Sequence, residues 1–423
     1  MSSTSVSSQI APQVRAGPVR LLSPRSVAPY LGPAFLVSVG YMDPGNWATD
    51  IEGGARFGYA LLWVLLSANL MALLLQHLSA KLGLATGLSY PQLCREKLPR
   101  PLTIFLWTTA EAAAIATDLA EFLGAALGFY LLLHIPMLPA AMITAVAVFG
   151  ILALYRFGYR AVEYVIMGLV SIIGLAYVFE VWIVQPDWRA VAEGAFVPRL
   201  NPDSLIIAMG MLGATVMPHN LYLHSGVILS RRRLNPEHTS SVTKAAILDS
   251  VLALNLAWLV NSAIVVMAAA AFYVQGLEID SIEGAHETLT PLLGGMSAIA
   301  FAIALLASGL SSSTTATLAG QIIIEGFLNV RFGLFLRRVI TVIPALVVIA
   351  AGLDAYWILI LSQVSLSVQL PFAIVPLVWL TARRSVMGEH ANHPLTTAIA
   401  CIIAALIIGL NVLLLLRLTG LLV

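Results

Sequence analysis

Charged residues are scarce in this sequence. They make up 10% of its 423 residues, and hydrophobic residues make up 59%, whereas a soluble domain usually has about 25% charged residues. This deficit excludes a large soluble core and indicates a membrane protein. The net charge of +1, without a basic stripe, gives no support to nucleic-acid binding. Two cysteines, Cys94 in a charged loop and Cys401 in an apolar run, do not favour a disulfide or a thiolate metal site.

Apolar runs of about 20 residues, the length that crosses a bilayer as a helix, recur along the whole chain. They predict an all-α membrane protein with eleven transmembrane helices, because the runs are long and uniformly apolar and a β-barrel needs short alternating segments. These spans are predicted at residues 28–57, 59–83, 102–128, 135–155, 162–185, 203–230, 245–275, 291–327, 335–353, 356–381 and 395–418. Residues 1–26 are predicted to be a disordered cytoplasmic tail rather than a signal peptide, which leaves 27–423 as the membrane domain.

Basic residues predict the orientation of the spans, because cytoplasmic loops carry an excess of lysine and arginine. With the N-terminus in the cytoplasm, the inside segments hold 18 of the 22 basic residues. They are Arg15, Arg20, Arg25, Lys81, Arg95, Lys97, Arg100, Arg156, Arg160, Arg231, Arg232, Arg233, Lys244, Arg331, Arg337, Arg338, Arg383 and Arg384. The acidic residues Glu278, Asp280, Glu283 and Glu287 fit an outside loop between spans 7 and 8. We therefore expect a multi-pass protein of the cell membrane with its N-terminus inside and its C-terminus outside.

The first span is interrupted by the sequence Asp43-Pro44-Gly45-Asn46. Proline lacks an amide N–H and its ring clashes with the preceding turn, and glycine adds backbone freedom, so a helix is expected to break here. Broken backbone at mid-membrane depth is tolerated only where it is buried in protein or lines a cavity. An intramembrane carboxylate such as that of Asp43 also indicates a functional site.

Span 6 carries a second interruption of the same form. It reads Met217-Pro218-His219-Asn220, so both breaks share the pattern X-Pro-X-Asn. Each break opens a block of five spans, 28–185 and 203–381, and an odd number of spans makes the second block enter the membrane from the opposite side. Paired breaks in corresponding spans predict an inverted-repeat transporter with its site between the breaks, followed by an extra span at 395–418.

The side chains at the two breaks suggest what is bound. Asp43 offers a carboxylate, Asn46 an amide oxygen and Met217 a thioether, and the carbonyl of Ala214 lies one turn before Met217. Oxygen ligands alone suit Mg²⁺ or Ca²⁺, whereas a soft thioether favours a first-row transition metal. The set predicts a site for a divalent transition metal, Mn²⁺ or Fe²⁺. The alternative for Met217 is a residue that only fills space in the core.

The two motifs resemble the signature of the Nramp (natural resistance-associated macrophage protein) divalent metal transporters. The resemblance covers residues 27 to 420. It implies a LeuT-like fold and proton-coupled uptake of Mn²⁺ and Fe²⁺, with metal held by Asp43, Asn46, the Ala214 carbonyl, Met217 and a glutamine of span 10 similar to Gln363. Family members that carry Mg²⁺ or Al³⁺ lack the motif methionine, so Met217 argues against those substrates. Some members have a twelfth span, whereas this chain is expected to have eleven.

Span 3 suggests a route for protons. Glu111, Asp118 and Glu121 fall on one face of the helix, and carboxylates in an apolar helix are costly unless they face a polar pathway. Cationic partners are expected from Arg231 at the end of span 6 and from Arg337 and Arg338 at the start of span 9. Structural ion pairing of these groups is the alternative reading.

The resemblance supports a path from Asp43 past His219 and Glu121 to Asp118, since an incoming dication favours ionised Asp43 and releases its proton. A histidine that only hydrogen-bonds within the site is the alternative for His219.

Three other functions compete with a secondary transporter of divalent metals that works by alternating access. A Na⁺-coupled carrier of a small solute on the same fold would not place a thioether beside a carboxylate. A membrane metalloenzyme would need a ligand set such as His-Glu-x-x-His, which the sequence lacks. A divalent-cation channel would not need an internal chain of proton acceptors. We therefore expect no enzyme activity and no resident cofactor, with metal ions, protons and lipid as partners and a monomeric state.

Overall fold

The computed structural model describes residues 28–154, 159–232, 239–277, 279, 281–331 and 333–419. All regular structure in these ranges is helical. The α-helices are α1 Pro33–Gly40, α2 Pro44–Phe57, α3 Leu62–Thr86, α4 Tyr90–Lys97, α5 Arg100–Leu133, α6 Met137–Ala153, α7 Tyr159–Val184, α8 Trp188–Phe196, α9 Leu205–Val216, α10 Pro218–Val227, α11 Leu229–Arg232, α12 Thr239–Ala268, α13 Ile282–Leu293, α14 Gly295–Leu328, α15 Leu334–Ala350, α16 Ala355–Ala382, α17 Arg384–Met387 and α18 Pro394–Leu418. Helix α12 continues into a π-helical turn at Ala269–Tyr273.

Every predicted span coincides with one of these helices, or with a pair of them where a break was expected. Span 1 is α1 and α2, and span 6 is α9 and α10. By length and composition, eight helical segments in the described ranges are apolar enough to cross a membrane, and α6 is a shorter apolar helix. The all-α class and the two broken helices are confirmed, whereas the number of eleven crossings remains a prediction.

Some of the predictions fall on residues that the structure does not describe or describes differently. The tail 1–26 lies outside the described residues, as do Arg156, Arg233, Glu278 and Asp280. Cys94, expected in a loop, is instead buried in α4. That prediction was wrong because Ser89 and Gln92 form a capping box, in which the Gln92 side chain accepts from the Ser89 amide at 2.9 Å and starts a helix among charged residues.

The two broken helices lie at the centre of the molecule. Helices α5 and α14 pack against each other more extensively than any other described pair, and both contact α2. Helix α16 packs on α9 and α2, and α12 packs on α1, α2 and α3. Trp47 of α2 is fully buried between the rings of Tyr177 (5.0 Å) and Phe301 (5.4 Å). The backbone breaks are thus enclosed by continuous helices, as polar backbone at membrane depth requires.

Apolar side chains on the periphery face outwards. Val146 of α6, Leu175 of α7 and Ile402 of α18 are each about two-thirds exposed or more. Exposed apolar side chains on long apolar helices are typical of a surface that faces lipid. The polar groups, in contrast, concentrate at the centre, where the breaks lie.

Candidate functional site

The first break separates α1 from α2. Helix α1 ends at Gly40 and α2 begins at Pro44, which needs no amide partner at a first helical position. Asp43 is the N-cap of α2, and its Oδ1 accepts from the backbone N–H of Asn46 at 2.7 Å. The positive end of the α2 dipole therefore lies at the carboxylate of Asp43, where it favours negative charge.

The carbonyl groups freed by this break are satisfied by side chains. Tyr41 O accepts from Nδ2 of Asn261 in α12 at 2.7 Å. Met42 O accepts from Nε1 of Trp47 at 3.2 Å and from the hydroxyl of Ser308 in α14. These bonds fix the connection between α1 and α2 to two neighbouring helices, so the break is part of the folded structure and not a frayed end.

The second break lies at Met217, between α9 and α10. Its φ of 39° is in the left-handed region that residues other than glycine seldom adopt. The N–H of Met217 still bonds Gly213 O at 3.1 Å. Pro218 has no N–H, so the carbonyl of Ala214 loses the donor that a continuous helix would supply. The break therefore leaves the Ala214 oxygen without its helical donor, and its role as a metal ligand stays a prediction.

The two breaks meet. A Cβ atom on Gly40 would lie 3.3 Å from Sδ of Met217 and 2.6 Å from Nδ2 of Asn220. Asn220 Nδ2 donates to Sδ of Met217 at 3.3 Å and to Val37 O of α1 at 3.2 Å. The residue before the first break must therefore be small, because the sulfur of the second break lies against it.

Gln363 of α16 completes this group. Its Nε2 donates to Oδ2 of Asp43 at 3.3 Å and to Ser362 Oγ at 3.2 Å. A Cβ atom on Gly45 would lie 1.6 Å from Nε2 of Gln363. The structure thus brings the side chain of Gln363 against the Asp43-Pro44-Gly45-Asn46 motif, as the resemblance implied.

The chemistry of this group fits a divalent cation. Asp43, Asn46, Met217 and Gln363 are all essentially buried. In the described part of the chain, Oδ1 of Asn46 and Oε1 of Gln363 have no hydrogen-bond donor. Buried oxygens without donors are costly unless a cation or water satisfies them. No cluster of three or more His, Cys, Asp or Glu side chains within the described ranges could hold a metal. A ligand set of one carboxylate, two amides, a carbonyl and a thioether stays a prediction.

The three acids of span 3 lie on α5, and two of them are paired with arginines of α15. Nη1 of Arg338 donates to Asp118 Oδ1 at 3.1 Å, and both side chains are fully buried. Nη1 of Arg337 donates to Glu111 Oε1 at 2.8 Å. Both carboxylate oxygens of Glu121 are buried without a hydrogen-bond donor among the described residues. Glu121, the acid of this series nearest to the C-terminal end of α5, thus has no ion pair among the described residues. Asp118 and Glu111 are each paired with an arginine.

His219 and Arg231 occupy different places relative to these acids. Nδ1 of His219 lies 3.4 Å from Oγ1 of Thr117, one residue before Asp118. Arg231 does not join the α5 acids: its Nη2 pairs with Glu163 Oε1 of α7 at 2.9 Å and donates to Leu31 O at 3.1 Å. The expectation that Arg231 partners the acids of span 3 is therefore corrected, because Arg231 lies in α11, beyond the end of α10, and its side chain reaches Glu163 and the backbone just before α1.

We did not predict two polar contacts near the breaks from the sequence. Asp249 of α12 accepts from the N–H groups of Gly32 (3.0 Å) and Ala34 (2.8 Å), so it caps α1. Its signal was an aspartate inside an apolar span. Gln76 donates to the Tyr41 hydroxyl at 2.7 Å, and its Oε1 lies 2.9 Å from His224 Nδ1, whereas Nε2 of His224 is buried without a hydrogen-bond partner among the described residues.

Comparison with known proteins adds to this geometry. Residues 34–417 match the family described as Natural resistance-associated macrophage protein-like (Nramp). The chain is 49% identical over 392 residues to the divalent metal cation transporter MntH of Caldanaerobacter subterraneus subsp. tengcongensis, covering 91% of this chain and 92% of that protein. It is similar to the crystal structure of the Eremococcus coleocola manganese transporter with an aromatic bis-isothiourea compound, with a TM-score of 0.87, 34% identity, and coverage of 97% and 90%.

A more distant structure supports the fold alone. Mhp1, a nucleobase-cation-symport-1 family transporter in a closed conformation, aligns with a TM-score of 0.62 at 14% identity, over 96% of this chain and 94% of that one. The LeuT-like fold that the family resemblance implied is thereby confirmed. With a family match over nearly its whole length and relatives that are almost half identical, this chain belongs to the Nramp family of membrane transporters.

Proposed function

We propose that this protein imports Mn²⁺ and Fe²⁺ into the cell by alternating access, coupled to the inward movement of protons. Membership of the family makes it a multi-pass membrane transporter of divalent metal cations and not an enzyme. The identity of the ions, the coupled proton and the direction of transport are the finer statements that we propose here.

One observation carries the choice of ion. The thioether of Met217 and the donor-free oxygens of Asn46 and Gln363 lie at the two breaks, beside the carboxylate of Asp43. A hard cation such as Ca²⁺ gains little from a thioether, whereas Mn²⁺ and Fe²⁺ accept both kinds of ligand. Asp43 is the only acidic group in the set, so it supplies the negative charge that a dehydrated dication needs. The name of the Eremococcus coleocola relative, a manganese transporter, agrees with this choice.

The acids of α5 support proton coupling. A dication at the breaks favours the ionised form of Asp43, so a proton held there must leave. Glu121 has a buried carboxyl without an ion pair, and Asp118 lies one turn away in a pair with Arg338. We propose that the proton passes from Asp43 past His219 to Glu121 and Asp118, and then to the pair of Glu111 and Arg337. The metal would follow a separate opening between the moving helices.

The proposal also covers the orientation of the protein in the membrane and its oligomeric state. The distribution of basic residues supports a cytoplasmic N-terminus, so that α2 and the end of α7 lie on the outer side of the cell membrane. The site is formed within a single chain, and we propose that the monomer transports. The metal and the proton are substrates, and no resident cofactor is needed.

Uptake into vesicles tests the proposal. Purified protein in proteoliposomes is expected to take up radiolabelled Mn²⁺ faster with an acidic exterior, with acidification of the interior reported by a trapped dye. Asp43→Asn removes the only acidic ligand and is expected to reduce uptake to the level of empty vesicles. Asp187→Asn is the matched control, because Asp187 is exposed and caps α8 through an oxygen that asparagine also has. Robust Mn²⁺ uptake by Asp43→Asn would refute the site.

A further inference from the structure

A second group of buried polar side chains lies in the half of the molecule that holds α2 and the end of α7. Tyr177 and Glu180 are one turn apart on one face of α7, and Asp50 is one turn beyond Trp47 in α2. All three are essentially buried, with exposures of 2%, 1% and 1%. None of them belongs to the metal site or to the acids of α5.

The aromatic packing brings these side chains together. The ring of Tyr177 packs edge-on against Trp47 at 5.0 Å, so α7 faces α2 at this level. The Tyr177 hydroxyl lies within electrostatic range of both Asp50 and Glu180. In the part of the chain that the structure describes, this hydroxyl has no hydrogen-bond partner. A buried phenol without a partner is directed at a polar group or at a ligand that satisfies it.

The two carboxyl groups are only partly satisfied. Ser297, at the start of α14, donates to Oε2 of Glu180. Oε1 of Glu180 and Oδ2 of Asp50 are buried and have no donor among the described residues. Asp50 also lies within electrostatic range of Asp43, two helical turns before it. The free hydroxyl and the free Glu180 oxygen thus lie on α7, and the free Asp50 oxygen lies on α2, the two helices that the Trp47–Tyr177 contact joins.

None of the ion pairs among the described residues supplies a positive charge to balance Asp50 or Glu180. The ion pairs in the described ranges involve neither Asp50 nor Glu180. The other titratable groups of this region are Glu52, which accepts from Arg56 and Tyr356, and His286, whose ring lies 6.3 Å from that of Phe301. A buried carboxylate that has lost its hydration and has no cation beside it is costly, so the buried arrangement favours a form that holds a proton.

We propose that Asp50, Tyr177 and Glu180 form an outer proton-binding site, separate from the acids of α5, and that its protonation permits the outer side to close. When the outer side opens, water reaches the carboxyl groups and they ionise. Closure buries them again, so it requires a proton from the outer solution. This inference rests on the proposed proton coupling and adds a point at which the outer pH acts.

The test varies pH without varying the driving force. Proteoliposomes are prepared so that pH is raised equally on both sides, with a constant gradient, and the initial rate of ⁵⁴Mn²⁺ uptake is measured. Glu180→Gln keeps the side-chain volume and the acceptor for Ser297 but cannot ionise. Wild-type uptake is expected to decline as the pH rises. The decline in Glu180→Gln should be at least about threefold smaller. Glu193→Gln, an exposed glutamate of α8, is the control and should follow the wild type.

The outcomes separate this inference from the proposed function. If wild-type Mn²⁺ uptake brings no proton influx, the proposed function fails and this inference with it. If the wild type is proton-coupled and Glu180→Gln has the same pH profile, only the outer proton site is refuted. Should Glu180→Gln lose transport, infrared spectra of the purified protein decide. The carbonyl band of buried, protonated carboxylic acids should weaken in both Glu180→Gln and Asp50→Asn, and an unchanged band in both variants would overturn the site.

Discussion

At the residue scale, Met217 occupies a backbone conformation that does not suit its side chain. Its φ of 39° is in the left-handed region, where a residue other than glycine typically costs about 1–3 kcal/mol. Glycine would relieve this strain but would remove the sulfur. The neighbouring Asn220 donates to that sulfur, which orients it towards the first break. The strain at this position thus accompanies a thioether that we propose as a metal ligand.

We expect Met217→Ala to retain Mn²⁺ transport and to weaken the exclusion of Ca²⁺ and Mg²⁺. The remaining ligands are oxygens, which these hard cations prefer, so the ratio of Mn²⁺ to Ca²⁺ transport should fall by about tenfold. Competition assays in proteoliposomes measure this ratio. Met209→Ala, another buried methionine of α9, is the control. Unchanged selectivity in Met217→Ala would show that the thioether does not select the ion.

At the scale of elements, glycines determine how closely the broken helices approach their neighbours. A Cβ atom on Gly213 would lie 2.4 Å from Gln363 O and 2.6 Å from Ser367 N of α16. One on Gly124 of α5 would lie 2.0 Å from the Cβ of Pro44. Because the first two atoms belong to backbone, a larger residue at Gly213 must move α9 away from α16, and with it the Ala214 carbonyl away from Gln363.

Gly213→Ala tests this close approach. We expect the free energy of unfolding to fall by about 1–3 kcal/mol, as is usual when a packed interface is overfilled. Mn²⁺ affinity should fall as well, since two ligands separate. Thermal unfolding in detergent and titration calorimetry measure these effects. Gly168→Ala in α7, where a Cβ would meet nothing within 4 Å, should change neither quantity. Wild-type stability and affinity in Gly213→Ala would argue against the packing described here.

A second prediction at this scale concerns the contact between α5 and α15. Asp118→Asn leaves the buried Arg338 without its carboxylate partner and removes a proton acceptor. Proton influx during Mn²⁺ uptake should fall by about tenfold, equivalent to roughly 1.4 kcal/mol in barrier height. Mn²⁺ affinity should change little, because Asp118 is not a ligand. A pH-sensitive dye trapped in the vesicles reports the influx, and normal acidification alongside normal uptake would count against this route.

At the scale of the whole molecule, sequence patterns predicted those features that depend on local chemistry. The breaks at Pro44 and Pro218 followed from the sequence because polar residues flank both prolines, whereas Pro344 and Pro371 lie inside continuous helices. The LeuT-like fold, implied by the family resemblance, also followed from the sequence. The partner of Arg231 did not, because its pairing with Glu163 depends on how two distant helices pack. The group around Tyr177 was missed for the same reason, since no spacing along the chain relates α2 to α7.

The orientation in the membrane is also a property of the whole chain and can be tested with cysteines. In a Cys401→Ser background, Glu193→Cys lies in α8 and Glu389→Cys lies between α17 and α18, and both native side chains are exposed. The excess of basic residues in the inside segments predicts that a membrane-impermeant thiol reagent added to intact cells labels the first and not the second. The reverse pattern would invert the proposed topology.

We propose that the two broken helices hold a dehydrated dication between oxygen and sulfur ligands. Anomalous diffraction from crystals grown with Mn²⁺ tests it most directly. We expect a single strong peak within coordination distance of Asp43, Asn46, the Ala214 carbonyl, Met217 and Gln363, and its loss in crystals of Asp43→Asn. A manganese peak elsewhere in the membrane domain, with these five groups bound to one another or to water alone, would contradict the account.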